Sequence, residues 1–222
     1  MNQWLRELFL CASLLACASA HAQQWNFQVF LDDKPIGHHH YTLRASGVSG
    51  DSGVGGAERE LKTEARFDVK VLFINAYRYM HDANERWRGN CLARLTARTD
   101  DNGEHSEVAA EQQGERVTVS STAATVRGRD SADGCLMTYA YWNADILRQT
   151  RLLNTQTGKI ETVNIAALGE DKITVRGVPV AAQRYRIGGG KYAIELWYGA
   201  DKAWLALQTT LDSGRKLRYQ LK

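Results

Sequence analysis

The chain has 222 residues, of which 44% are hydrophobic and 24% charged, with a formal net charge of +3; its mean hydropathy is -0.41. These values exclude a disordered chain and a bundle of membrane-spanning helices, and they fit one globular domain, or at most two small ones, with enough surface to bury a core. A charge this small, with no dense Lys/Arg block, also excludes an electrostatic footprint for nucleic acid.

The amino-terminal end reads as an export signal. Arg6 is the one cationic side chain ahead of the apolar run Leu8–Ala18. That run is too short for a helix crossing a hydrocarbon layer, which takes about 20 residues, and it fits the hydrophobic region of a signal peptide. Ala20-His21-Ala22 supplies the small residues for cleavage after Ala22, with Ala18-Ser19-Ala20 as a second site. The expected organisation is a signal peptide over 1–22 and a single β-rich domain over 23–222, located in the periplasm. Leu14-Leu15-Ala16-Cys17 loosely resembles a lipobox, so a lipid anchor at Cys17 is the competing expectation, although the second leucine is atypical there. No later apolar run reaches spanning length. Cys91 and Cys135 remain after cleavage, and an oxidising compartment favours a disulfide between them over two free thiols.

From Gln24 onward the hydrophobic period is two. Trp25, Phe27, Val29 and Leu31 share one face of a first strand, and Asp32-Asp33-Lys34-Pro35 reads as the turn that ends it. Ile36–Ala45 returns as its hairpin partner. Gly47–Gly56, rich in Gly and Ser, reads as a loop. Alternation resumes through Leu61, Thr63, Ala65, Phe67, Val69 and Val71, then through Tyr77, Tyr79 and His81. Leu92–Thr99 and Glu104–Ala110 flank Asp100-Asp101-Asn102-Gly103, whose Asn-Gly pair accepts the positive φ angles of a tight hairpin. Val117 with Val119, and Leu136–Tyr141, continue the pattern.

One interruption follows. Asn143 is placed to cap a short helix, with Ile146, Leu147 and Leu152 on its apolar side, and Asn154–Gly158 reads as a turn. Strands are expected at Ile160–Ile165, Ile173–Val175, Val180–Ile187, Tyr192–Trp197, Trp204–Leu211 and Leu217–Leu221. Gly169-Glu170-Asp171, Gly188-Gly189-Gly190 and Asp212-Ser213-Gly214 are expected to separate them. Roughly twelve to fourteen short strands joined by turn residues predict an all-β protein. That number exceeds what an open sheet carries flat, so a single large curled antiparallel sheet is expected, as a barrel, half-barrel or clam with one short helix; a two-sheet β-sandwich is the alternative.

Several blocks of the chain resemble one family. They are Phe30-Leu31-Asp32-Asp33-Lys34-Pro35-Ile36-Gly37, Glu85-Arg86-Trp87 ahead of Cys91-Leu92, Thr99-Asp100-Asp101-Asn102-Gly103, Ala140-Tyr141-Trp142-Asn143, Leu153-Asn154-Thr155-Gln156-Thr157-Gly158, Leu196-Trp197-Tyr198 and Leu217-Arg218-Tyr219. Together, and in this order, they resemble a domain-of-unknown-function family of exported proteobacterial proteins. The resemblance spans nearly all of 23–222 and implies an envelope location and a β-rich single domain. It carries no catalytic residue across.

Candidate sites follow from side-chain alternation. In His38-His39-His40, His38 and His40 point one way and His39 the other, so the three cannot hold one metal. His39 shares its side with Tyr41 and Leu43; His81 shares its side with Tyr77 and Tyr79, with Glu85 and Trp87 behind. If the two faces meet, His39, His81 and Glu85 form a polar patch in an aromatic cavity, suited to a ligand head group, a proton shuttle or zinc, with ordinary cross-strand pairing beside the core as the plain reading. Tyr79, Tyr141 and Trp142 complete the candidate ligand-binding set. Three other segments read as loops or turns. Gly50-Asp51-Ser52-Gly53 matches a trypsin-like nucleophile segment but stands too early in the chain. Asp100–Glu104 lacks calcium-loop spacing, and Gly188–Lys191 lacks P-loop spacing.

Export, a curled sheet and abundant Trp and Tyr lead to an expected role in binding an apolar small molecule or lipid, without cofactor or metal. An envelope interaction or scaffold protein, using a sheet edge or the loop at Gly47–Gly56, is the second class. An enzyme acting through His39, His81 and Glu85 is the third.

Overall fold

The structure, a computed structural model, describes residues 22–46, 58–71, 74–123 and 126–222. Residues 1–21 of the expected signal peptide, with the segment at Cys17, and the loop at Gly47–Gly56 lie outside the described residues.

Alternation carries the chain into eight successive strands: β1 (Gln23–Leu31), β2 (Lys34–Ala45), β3 (Glu58–Val71), β4 (Ile74–Arg88), β5 (Cys91–Asp101), β6 (Glu104–Gln113), β7 (Arg116–Ala123) and β8 (Val126–Asp133). The β5–β6 hairpin turns at Asn102 and Gly103, with φ of 55° and 93°, as an Asn-Gly pair permits. Short strands β9 (Met137–Thr138), β10 (Arg151–Leu153) and β11 (Ile160–Thr162) follow, with a 3-10 helix, Ala144–Arg148, after β9. Asn143 caps that helix by accepting from the Asp145 amide, as its position predicted, and Ile146 is buried beneath it. Five more strands complete the chain: β12 (Asn164–Val175), β13 (Val178–Gly188), β14 (Ile194–Tyr198), β15 (Trp204–Thr210) and β16 (Lys216–Leu221).

Thirteen strands form one antiparallel sheet in the order β12-β13-β14-β15-β16-β1-β2-β3-β4-β5-β6-β7-β8. The first and last strands of the chain are therefore neighbours in its middle. Their pairing, Phe27 with Leu221 through Leu31 with Leu217, is braced where β1 ends. The Asp32 carboxylate accepts from the Lys216 amide at 2.9 Å and from Arg215 Nε at 2.8 Å. The expected curled sheet is the observed one, and the small parallel-and-antiparallel sheet β11-β10-β9 is no second sandwich layer.

Residues 134–163 connect one edge of the sheet, β8, to the other, β12, by passing across the inner face. Tyr141 accepts a hydrogen bond from Tyr198 of β14 at its carbonyl oxygen, 2.7 Å, while the next residue, Trp142, packs edge-on against Trp87 of β4 with ring centroids 5.5 Å apart. Strands β14 and β4 are six places apart, about 29 Å in a flat sheet. Adjacent residues touch both only because the sheet curls around them.

The inner face is shaped for this passenger. Buried Thr63, Ala65, Ala83, Ala97, Thr99 and Ala110 keep the β3–β6 surface low, and the crossing segment fills it with Leu136, Met137, Ile146, Leu152 and Leu153, each at most 1% exposed. Burying such side chains stabilises by about 1.5–3 kcal/mol apiece. The Cys91–Cys135 disulfide and the Leu92 amide, donating to the Leu136 carbonyl at 2.9 Å, pin its start to β5.

Five expectations need correction. Leu152 lies in β10, beyond the 3-10 helix, and Ile160–Ile165 is divided between β11 of the small sheet and the start of β12 of the large one. Gly169-Glu170-Asp171 does not separate strands; it lies within β12, where a bulge between Ala167 and Gly169 absorbs the extra residue. Leu136–Tyr141 is not a sheet strand, since only Met137–Thr138 pairs, and with β10 rather than the large sheet. Pro35 does not end the first strand; it lies inside β2 opposite Phe30, next to the register shift between Val29 and Phe30.

Candidate functional site

Cross-strand register builds the site. One row runs Phe27–His39–Ala65–His81–Thr99 across β1 to β5. Ala65, fully buried, separates the two histidines and has no bulk of its own to fill the space above it. Val29 of β1 faces Tyr219 of β16, while Phe67 of β3 faces Tyr79 of β4.

Around His39 these residues form an aromatic cluster. The His39 ring stacks on Tyr41 at 4.2 Å between centroids, and Phe67 stacks on Tyr79 at 5.1 Å. Trp204 joins Tyr41 to Phe27 and to Tyr141, at 5.1, 4.4 and 5.3 Å respectively. The hydroxyls of Tyr41 and Tyr219 both converge on His39 Nδ1, at 3.1 and 3.3 Å. His39 Nε2 is buried with no hydrogen-bond partner. Either tautomer leaves that nitrogen unsatisfied: a hydroxyl donating to Nδ1 puts the ring proton on Nε2, and the reverse arrangement leaves Nε2 a bare lone pair. Burial, then the neighbouring His81, His40 and His38, hold the proton affinity of His39 well below the ordinary imidazole range.

His81 is 4% exposed. Its Nδ1 lies 2.9 Å from Thr99 Oγ1 and its Nε2 3.4 Å from Thr155 Oγ1 of the crossing segment. Burial pushes its pKa down to about 4, so the ring is neutral at pH 7. Glu85, 6% exposed, accepts a hydrogen bond from Thr138 Oγ1 at 3.0 Å. Burial pushes its pKa up to about 7, against the opposing effect of the Thr138 bond.

All six predicted residues face the interior, but they divide into two groups. His81 and Glu85 stand four residues apart on β4, about 13 Å along the strand, and each contacts a different threonine of the crossing segment. Trp142 belongs to the Glu85 end through Trp87, and the Arg59 guanidinium lies 4.7 Å above its ring. Tyr141 belongs with His39 and Tyr79 through Trp204. His39, His81 and Glu85 share no hydrogen bond. Among the described residues no three His, Cys, Asp or Glu side chains converge to hold a metal ion.

Sequence reasoning left out Tyr219, Thr99, Thr138 and Thr155. Tyr219 is visible as the central residue of an alternating strand, but nothing local pairs that strand with β1. The expected aromatic-lined cavity is largely filled by the protein's own segment 134–163. Two open grooves, near 690 and 680 Å³, are instead lined chiefly by outward-facing residues: Thr96, Thr118, Ser120 and Arg129 in one, Thr42, Arg44, Lys62 and Arg86 in the other.

No helix among the described residues is long and apolar enough to cross a membrane, and the disulfide is compatible with an extracytoplasmic protein. No curated protein matches the chain. It is similar to a solved crystal structure described as a beta-barrel-like protein of domain of unknown function DUF1849 from Brucella abortus, with a TM-score of 0.61. The similarity covers 90% of this chain and 95% of that one at 9% identity, a likeness of fold alone. The family model for the domain of unknown function DUF6134 matches residues 27–222, and the chain belongs to that family.

Proposed function

We propose that the protein is exported to the bacterial periplasm and holds an apolar small molecule or lipid against the His39 end of its inner face. The observation that carries this reading is the buried, unpartnered Nε2 of His39 among Phe67, Tyr41 and Tyr219. An unsatisfied polar atom in such surroundings costs about 1–3 kcal/mol, and a ligand head group with one donor or acceptor relieves it. The rings of Phe67, Tyr79 and Tyr219 offer the apolar body of that ligand a wall. Release of the export signal after Ala22 and formation of the Cys91–Cys135 bridge belong to the same setting.

The test is organic extraction of protein purified without detergent from its native host, followed by mass spectrometry. A single class of apolar molecule at near-equimolar yield, lost in His39→Phe while the fold is kept, is the expected result. Empty extracts from both proteins refute the reading.

A second reading, an envelope interaction protein, is favoured by one observation. The edge strand β12 is exposed on both faces along most of its length, and Leu168 and Val178, 42% and 59% exposed, are the exposed large hydrophobics of the described residues. A free edge is a template for strand addition by a partner. Loss of a co-purifying protein in Leu168→Lys, with no small molecule retained by the parent, would favour it.

A further inference from the structure

The outer face of β2 carries two histidines that the inner site does not use. His38 and His40, two residues apart on one strand, project to the same side, and their rings lie 4.5 Å apart between centroids, tilted by 38°. We propose that His38 and His40 together chelate one divalent transition-metal ion, of the Cu²⁺ or Ni²⁺ type, on the outer face of the sheet.

Three features argue for chelation rather than a chance pair. The first is spacing. An imidazole nitrogen sits about 2.0 Å from such an ion, which places its ring centroid ~3.2 Å away; two rings at a right angle about the metal then have centroids ~4.5 Å apart, the geometry of tetragonal sites. The observed separation equals that value without rearrangement of the strand. Tetrahedral coordination would need a wider separation, about 5.2 Å, so the pair suits Cu²⁺ or Ni²⁺ better than Zn²⁺.

The second is orientation. His40 Nδ1 lies 2.7 Å from Asn26 Oδ1, on the neighbouring strand at the paired position. An amide oxygen only accepts, so Nδ1 carries the proton and Nε2 presents its lone pair outward. This is the outer-shell arrangement that fixes metal-binding histidines in structures generally.

The third is local charge. Opposite His38 and His40 on β3 stand Arg66 and Glu64. Arg66 binds Asp82 with two bonds of 2.8 and 2.9 Å and lies 4.0 Å from the Glu64 carboxylate, so one guanidinium stands between two carboxylates and the three groups together leave a net negative charge. Glu64 contributes negative charge beside His40. The protein supplies two ligands, and water fills the remaining positions.

The experiment is calorimetric titration of Cu²⁺ into the purified protein, disulfide intact, with electron paramagnetic resonance of the loaded form. One ion per chain is expected at this site, with hyperfine structure from two imidazole nitrogens. His38→Ala and His40→Ala should each weaken that binding by at least ~10-fold, Asn26→Ala by about tenfold, and His105→Ala not at all. Both histidines are partly exposed, so folding should survive; His38→Asn and His40→Asn repeat the test should an alanine variant lose its circular dichroism spectrum. Unchanged affinity in the folded His38 and His40 variants, or a spectrum with a single nitrogen, overturns the proposal.

Discussion

Replacing Glu85 by Gln keeps the shape of the side chain and the acceptor for Thr138 while removing the ionisable proton. The carboxyl titrates at about 7 in the folded protein against 4.5 for the ordinary group. The native state therefore retains a proton that the unfolded chain has already released, and stability falls as pH rises from about 4.5 to about 7. The gap corresponds to roughly 3 kcal/mol. His81 acts in the opposite sense, because its folded value near 4 lies below the ordinary 6.5: the unfolded chain binds the extra proton, and stability rises with pH between those values. The two effects partly cancel in the raw profile, so the informative quantity is the variant minus the parent. Urea denaturation at pH 4, 6 and 8 should show Glu85→Gln gaining on the parent with pH, by up to ~3 kcal/mol at pH 8. A difference that does not change with pH would refute the assignment of a neutral, buried Glu85.

Two further perturbations address the crossing segment. The disulfide closes a loop with a sequence separation of 44, worth about 4 kcal/mol in the chain-entropy treatment. Cys91→Ala with Cys135→Ala should lose about that much in denaturant midpoint analysis, and hydrogen exchange should accelerate first at the Leu92 amide and across 136–153. Gly158 has a φ of +74°, and a Cβ there would lie 2.6 Å from the Ser121 Cβ. Gly158→Ala should cost about 2 kcal/mol or more by thermal unfolding; adding Ser121→Gly should restore the steric part alone, since the backbone strain persists.

The parts of the fold that were legible are those whose alternation survives one-sided burial. Trp25, Phe27, Val29 and Leu31 are buried while their neighbours are not, and β2 to β7 follow the same rule. Strand β8, Val126–Asp133, leaves no alternation to read because it is an edge strand in which Arg127, Arg129 and Asp133 stand out to solvent and Ala132 is buried. The continuity of β12 across Gly169 has no signature in the sequence because both its faces meet solvent and no hydrophobic period remains there. Leu136–Tyr141 misled for the opposite reason: Leu136, Met137 and Thr138 are buried in succession, the mark of a chain enclosed on all sides. At the site, His39 and His81 were readable from period two, but their separation by Ala65 depends on the β2–β3 and β3–β4 registers. Tyr219 meets His39 across a pairing of the chain's two ends, and no local pattern encodes that.

The inner face distinguishes its polar residues by what they touch. Glu85 spends its hydrogen bond on the segment that fills the sheet, through Thr138, and His81 divides its two ring nitrogens between Thr99 of β5 and Thr155 of that segment; between about pH 4 and about pH 7 burial keeps both groups neutral. Their chemistry is that of docking: in a low-dielectric interior, two neutral groups each matched to a hydroxyl hold an irregular stretch of backbone in one position without the cost of a buried ion. His39 differs because its partners, Tyr41 and Tyr219, come from the sheet itself and crowd one ring nitrogen, leaving the other unsatisfied. Substitutions should therefore separate. Loss of the Glu85 or His81 contacts should loosen residues 134–163 and lower stability, whereas His39→Phe removes one unsatisfied nitrogen but orphans the buried hydroxyls of Tyr41 and Tyr219, so it should lower stability by about 1–3 kcal/mol, leave residues 134–163 in place, and abolish retention of an apolar molecule. A variant set in which His39 behaves like Glu85, loosening residues 134–163 with no effect on bound material, would make His39 one more structural contact and withdraw the physical basis for a ligand at that end of the sheet.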